Sequence, residues 1–289
     1  MATRSSHRPA ERAQQVTPVP VIELQQASLT LGGRTLWQQL NLSVARGEFL
    51  VILGPNGSGK TSLLNVMLGL LPLTSGTVAV LGHSPQIGRD TIGYIPQQKG
   101  FDADLPIRGW DLVRLGLDGE HYGFSGHSQA IKTKVDAAIR QVGATDFASA
   151  PIGLLSGGEQ QRLRVAQALL SDPEILLCDE PLLSLDLSQQ QVVMALINER
   201  RKQSGMAVVF VTHDINPALE YVDRVLYVVG QKWAVGKPED VLTSHRLSVL
   251  YDTPVDVLRV RGRIVVVGVG EAGIEGDVHH PGHHHHEHV

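Results

Sequence analysis

The fold turns on one stretch, Phe49-Leu50-Val51-Ile52-Leu53-Gly54-Pro55-Asn56-Gly57-Ser58-Gly59-Lys60-Thr61-Ser62. Five apolar residues in a row leave no polar face. That suits a strand buried on both sides, as in the middle of a parallel sheet. Residues 61–71 then carry Leu and Met at helical spacing. Between strand and helix, the glycines let backbone N–H groups turn inward around an anion, and the helix N-terminus adds partial positive charge. In this pattern Lys60 reaches the β- and γ-phosphates of a nucleotide, and Thr61 holds Mg²⁺. Gly54, Pro55, Asn56, Gly57, Ser58, Gly59, Lys60, Thr61 and Ser62 are therefore the expected phosphate-binding set. A glycine turn without a ligand is the competing reading, and the strand before and helix after argue against it.

Further along, Ile175-Leu176-Leu177-Cys178-Asp179-Glu180 is a second apolar strand, ended by two carboxylates. Parallel sheets bind ligands at the carboxyl ends of their strands. Asp179 is expected to orient Mg²⁺ through water, and Glu180 to act as the base toward the attacking water. Alone, the pair would read as solvated acids at a strand end; the preceding phosphate loop favours the catalytic reading. Leu155-Ser156-Gly157-Gly158-Glu159-Gln160-Gln161-Arg162 lies between the two strands. Ser156, Gly157 and Gly158 sit at a predicted helix start, where small residues admit an anion and Ser156 adds a hydroxyl. Taken alone, Ser156 reads equally as an N-cap.

The other segments fill in an α/β order. Residues 21–31 alternate and meet Gly32-Gly33, a hairpin signal, with residues 40–44 returning. Residues 91–96 read as a strand. The texture changes over 99–150, with helical patterns at 110–117 and 128–142 around a loop at 118–127. A helix from Gly157 to Leu170 is broken by Pro173. Helix is predicted over 189–201 and 216–222, strand over 207–211, a hairpin over 224–229 and 232–235, closing helices from Pro238, and strand over 255–267. The expected fold is α/β, a P-loop NTPase-type parallel-sheet core with an antiparallel β subdomain and an inserted α-helical subdomain. Its divisions are a flexible lead at 1–20, a nucleotide-binding domain at 21–250 with the helical part at about 98–170, and an extension at 251–289.

Bulk properties narrow the classes. The 289 residues carry a net charge of -4 with no block of Lys and Arg, which argues against bulk nucleic-acid binding. Cys178 is the one cysteine, so no intrachain disulfide can form, in keeping with a reducing compartment. No run approaches the ~18–20 apolar residues that cross a bilayer. The lead lacks the apolar core of a secretory signal.

The phosphate loop, the Leu-Ser-Gly-Gly-Glu-Gln stretch and the acidic strand, in that order, resemble the ATP-binding cassette family, the ATPases that power membrane transporters. The resemblance spans 21–250 and one cassette. It implies ATP and Mg²⁺ as cofactors, and a head-to-tail homodimer in which Ser156, Gly157 and Gly158 meet the γ-phosphate held by the partner's loop. It implies that Gln97, after Tyr94-Ile95-Pro96, joins the core to the helical subdomain and senses Mg²⁺ and water. It makes His213, in Val211-Thr212-His213-Asp214, a contact to the γ-phosphate and the attacking water; alone it would be an ordinary strand-end histidine. Asp186, in Leu183-Ser184-Leu185-Asp186, resembles an interface aspartate and also reads as a helix N-cap. Leu31 stands where the family usually has an aromatic ring against adenine, so weak selectivity for ATP over GTP is expected.

The run from His213 through Val225, with Pro238-Glu239-Asp240-Val241-Leu242-Thr243 and Leu250-Tyr251-Asp252-Thr253-Pro254-Val255, is similar to importers of chelated or free transition metals. This implies a peripheral subunit on the cytoplasmic face of the membrane. Its partners would be transmembrane permease subunits, fed by an extracytoplasmic metal-binding protein. Zinc or manganese is favoured; siderophore, haem or cobalamin import, export, and a soluble non-transport ATPase are the alternatives. His279, His280, His283, His284, His285, His286 and His288 would suit Zn²⁺. An affinity tag is the other reading of this tail, but its interruption by Pro281-Gly282 and Glu287 favours a native segment.

Overall fold

A computed structural model of the chain describes residues 19–85, 91–97, 100–102, 104–120 and 129–268. The expected lead up to residue 18 and the histidine tail lie outside the described residues.

β1 (Ile22–Leu31) and β2 (Arg34–Val44) form an antiparallel hairpin. Its turn, Gly32-Gly33, takes φ of +56° and +79° in succession, a conformation that side chains with a Cβ resist. A strand not expected from the sequence, β4 (Ser75–Val80), pairs with the other side of β1. Its opening Ser-Gly-Thr is exposed and carries no apolar alternation, which hid it.

The main sheet has six strands in the order β5-β6-β7-β3-β8-β9. These are β3 (Phe49–Leu53), β5 (Ile92–Ile95), β6 (Ile175–Asp179), β7 (Ala207–Val211), β8 (Arg224–Val229) and β9 (Lys232–Gly236). All neighbours are parallel except β8 and β9, which form the expected hairpin. Every residue of β3, β6 and β7 is buried, which is why their sequences lack alternation. The period-2 pleat still divides them between two cores. Phe49, Val51, Leu176, Cys178, Val208 and Phe210 face one core, which also holds helices α2 (Gly109–Arg114), α3 (Gln129–Gln141), α4 (Gly157–Leu169) and α5 (Leu187–Ser204). Leu50, Ile52, Leu177 and Val209 face the other, shared with α1 (Lys60–Met67) and the β2-β1-β4 sheet.

The structure corrects several expected elements. Residues 216–222 are turns rather than helix. Ala218 N and Tyr221 N bond three residues back rather than four, and Pro217 offers no N–H. Residues 255–267 are two strands, β10 (Val255–Val260) and β11 (Arg263–Gly268), folded back through Arg261 (φ +49°) and Gly262 (φ +78°). Two further helices, α6 (Pro238–Val241) and α7 (Ser244–Tyr251), precede them. Helix α1 is also shorter than its pattern, stopping at Met67 before Gly69 takes φ +70°.

Cys178 is fully buried in β6, and burial, with Asp179 beside it, pushes its thiol pKa far up. The native thiol is expected to resist alkylation until the chain unfolds. Cys178→Ser, which buries a hydroxyl in an apolar wall, should destabilise the chain by about 1–3 kcal/mol. Labelling kinetics with a thiol reagent, alongside thermal melts of both chains, check this. Rapid labelling under native conditions would contradict it.

Candidate active site

Parallel register decides where the sequence motifs meet. Ile52 pairs with Val211, Asp179 also pairs with Val211, and Leu53 pairs with Tyr227. The carboxyl ends of β3, β6 and β7 therefore finish level, and the loops starting at Gly54, Glu180 and Thr212 emerge side by side.

The loop after β3 is built around absent side chains. A Cβ on Gly54, whose φ is +147°, would lie 2.1 Å from the Val228 carbonyl oxygen. One on Gly59 (φ +94°) would press on the Trp37 and Leu36 side chains at 3.0–3.1 Å. Lys60 is buried, and its Nζ donates to the carbonyl oxygens of Gly54 at 2.8 Å and Pro55 at 3.1 Å. Burial lowers its pKa, while the carboxylates of Glu180 and Asp179 partly offset this. Among the described residues, the buried Ser58 hydroxyl oxygen has no hydrogen-bond partner. A glycine cradle, an unmatched hydroxyl and a buried ammonium are what phosphate oxygens satisfy, so the loop fits a nucleotide's phosphates.

Asp179 is almost fully buried. Burial raises its pKa most, the Thr61 hydroxyl bonded to it lowers it, Glu180 raises it and Lys60 lowers it. A carboxylate paired with the Thr61 hydroxyl beside the phosphate loop is the donor set that would hold Mg²⁺ with its waters. Tyr94 of β5 also borders the pair: burial first, then Asp179 and Cys178, raise its pKa. Nothing in the sequence singled Tyr94 out, because its nearness to Asp179 arises only from the pairing of β5 with β6.

Glu180 takes φ +50°, rare for a residue with a long side chain. Such a conformation costs about 1–3 kcal/mol and recurs at functional sites. Its amide donates to Val211 O at 3.0 Å, and its Oε2 lies 2.9 Å from His213 Nδ1. Two residues separated by 33 positions are thus paired at the sheet edge, next to Asp179 and Lys60.

The structure groups Lys60, Thr61, Asp179, Glu180 and His213. Among the described residues, no hydrogen bond or ion pair joins Gln97, Ser156 or Asp186 to them. Gln97 is exposed after Pro96. Ser156 is exposed at the N-terminus of α4, where it forms a capping box with Glu159. Gly158 is closely packed: a Cβ there would crowd Gln189 Oε1 at 3.0 Å and Ser184 O at 3.2 Å. Asp186 caps α5, accepting from Gln189 N at 2.8 Å and Ser188 Oγ at 2.7 Å; those bonds lower its pKa. Gln161 does reach the site's border, its Nε2 donating to Pro181 O at 3.0 Å and linking α4 to the loop after Glu180.

A family profile described as "ABC transporter" matches residues 37–183. The manganese transport system ATP-binding protein MntB of Bacillus subtilis is 34% identical over 80% of this chain and 92% of its own length. The chain belongs to the ABC transporter ATP-binding family. It is an ATPase whose hydrolysis is coupled to transport, and the family implies ATP and Mg²⁺ as its cofactors. The zinc import ATP-binding protein ZnuC of Pseudomonas fluorescens is 33% identical over 76% of this chain and 78% of its own. Among solved structures, an inward-facing transporter ascribed to the metal-chelate type of the family matches with a TM-score of 0.72, 26% identity, and 86% and 97% of the two chains. A dimeric cassette in a post-hydrolysis state, bound to ADP and Pi, matches at 0.66 and 29%, covering 75% and 98%.

A buried carboxyl whose charged form burial disfavours is held at a cost to the nucleotide-free fold. Asp179→Asn keeps an acceptor for Thr61 and removes the charge. It is expected to raise the melting temperature of the nucleotide-free chain by about 2–4 °C, for about 1 kcal/mol, while weakening Mg²⁺-dependent ATP binding. Calorimetry without nucleotide checks the first part, and an unchanged or lower melting temperature would contradict it.

Proposed function

We propose that this chain is the ATP-hydrolysing motor subunit of a transition-metal importer, with zinc or manganese as the transported ion. The observation that carries the metal reading is its likeness, over about four fifths of its length, to ATP-binding proteins named for manganese transport and zinc import. A chelated metal is the second reading, favoured by the metal-chelate type neighbour.

The chemistry follows from the grouped side chains. Lys60 and the loop amides bind and orient the phosphates of ATP, whose terminal anhydride supplies the energy. Thr61 and Asp179 would hold Mg²⁺, and Gln97, exposed after Pro96, would sense that ion and its water from the join between the core and the helical part. Glu180 accepts the proton of the attacking water, and His213, paired with it at 2.9 Å, orients that water and the γ-phosphate. Ser156, Gly157 and Gly158 serve the nucleotide held by a second copy, in a head-to-tail dimer with Asp186 at the contact. The exposure of Ser156 and the dimeric state of a related cassette support this. Leu31, partly exposed at the end of β1, offers adenine an apolar surface without a ring.

Among the described residues, no helix is long and apolar enough to cross a membrane. In this reading the chain sits on the cytoplasmic face, bound to permease subunits through the groove near Gln97 and the helical part. An extracytoplasmic protein delivers the metal to the permease. The cassette would span 21–250, with the helical subdomain at about 98–170 and an extension after it, and the histidine tail would bind Zn²⁺.

Glu180→Gln is expected to leave ATP binding within about twofold and to lower turnover by at least about 10²-fold. Normal hydrolysis by that variant would remove Glu180 as the base. Cells carrying it should lose uptake of labelled Zn²⁺ or Mn²⁺; loss confined to a ferric siderophore would select the chelate reading, and retention of all three would end the importer reading. Separately, deleting residues 278–289 should abolish high-affinity Zn²⁺ binding in calorimetric titration. Unchanged binding would leave the tail with no role in zinc.

A further inference from the structure

The His213 side chain is 62% exposed, so its position depends on the backbone of its loop more than on packing around the ring. That loop carries a second set of bonds. Asn216 Nδ2 donates to Ile264 O at 3.0 Å, and Asn216 Oδ1 accepts the Ile264 N–H at 2.8 Å. Nδ2 also donates to Asp214 Oδ1 at 2.7 Å, which accepts the Asn216 backbone N–H at 2.9 Å. Thr212 Oγ1 donates to Asp214 O at 2.9 Å and accepts from Asp214 N at 3.2 Å. A hydrogen-bonded path thus runs from Thr212 through Asp214 and Asn216 to β11, enclosing His213.

The chemistry of this tie is specific to a short carboxamide. Turned over, its NH₂ would face the Ile264 N–H and its oxygen the Ile264 carbonyl, so one orientation is fixed. Bonding both backbone groups of one residue, Asn216 occupies the outer edge of β11 as another strand would. Aspartate lacks the donor, serine the second group, and glutamine is a methylene too long. The opposite edge of the hairpin is held in the same manner by α7: Val257 N donates to Ser244 Oγ and Val255 N to Ser248 Oγ, each at 2.9 Å. Val255 and Ile264 anchor one face in the main core. The hairpin therefore straps the His213 loop to α7. Between β11 and the phosphate loop lies a cavity of about 580 Å³, walled among others by Gly54, Pro55, His213, Tyr251 and Val265. The loop has room on that side, and the Asn216 tie stands at its rim.

We propose that Asn216 is a positioning residue for ATP hydrolysis, tying the His213 loop to the C-terminal hairpin so that the His213 ring stays on Glu180. This rests on His213 acting in hydrolysis as proposed above.

The test compares the full-length chain with Asn216→Ala and His213→Ala, measuring steady-state Mg²⁺-ATP hydrolysis and the NMR signals of the His213 ring nitrogens. Asn216→Ala is expected to lower kcat about tenfold, the effect of losing one to two hydrogen bonds, with KM within about twofold. The His213 nitrogen signals should shift or broaden. A merely structural loss would lower the melting temperature without that kcat-to-KM split or those spectral changes. Wild-type kcat, or a lowered kcat with His213 signals unmoved, would overturn the proposal. Hydrolysis by His213→Ala at the wild-type rate would instead remove His213 from the mechanism, with the ring signals in Asn216→Ala still deciding whether the tie exists. Asn216→Asp gives a second variant if the alanine chain folds poorly. It keeps the acceptor, removes the donor to Ile264 O, and should match the alanine variant in direction.

Discussion

The parallel register of β6, β7 and β3 is the constraint on which the site depends. Asp179 and Ile52 both pair with Val211, so three strands distant in sequence end at one level. A one-residue slip in any of them would invert its side chains between the two cores and displace its loop by more than 3 Å along the strand. The burial of every residue in these strands makes such a slip costly, because each face meets a different set of partners. Core packing and site geometry are therefore the same requirement viewed from inside and from the edge.

Around that edge the chain holds conformations that local preference opposes. Gly54 is pinned against β8, Glu180 lies in the left-handed region, and Lys60 and the Asp179 carboxyl are buried away from water. Each of the three ionisable side chains has a partner that makes it tolerable: two carbonyl oxygens for Lys60, a hydroxyl for Asp179, a histidine for Glu180, whose backbone N–H also bonds a carbonyl. A nucleotide with its metal would answer the same groups with charges of the right sign. The edge is thus suited to phosphate and Mg²⁺, and the strands beneath it are buried throughout.

The two edge strands of the C-terminal hairpin show how side chains can replace a sheet neighbour. Ser244 and Ser248 cap one edge and Asn216 the other. Its outward face keeps Leu258, Val260, Val265 and Val267 partly exposed. The segment is held mainly through its edges and through Val255 and Ile264. That arrangement suits a strap between two parts of the chain better than a further layer of core.

The sequence by itself determined the phosphate loop, the acidic strand end and the helix start at Ser156, because each is a local pattern. Glycines, a lysine and a hydroxyl at fixed spacing between an apolar strand and a helix have few other uses. It also made the parallel core legible, since doubly buried strands must be continuously apolar. The edge strand β4, the turns at 216–222 and the hairpin at 255–268 were not legible. An exposed edge strand lacks alternation, and a segment whose polar groups bond to distant partners looks locally like a helix or a single strand. Only the tertiary structure decided that Glu180 and His213 are paired, that Tyr94 borders Asp179, and that Asn216 holds β11. These contacts cross 33, 85 and 48 positions of chain, distances at which nearness is set by sheet order and register, quantities that no local spacing encodes.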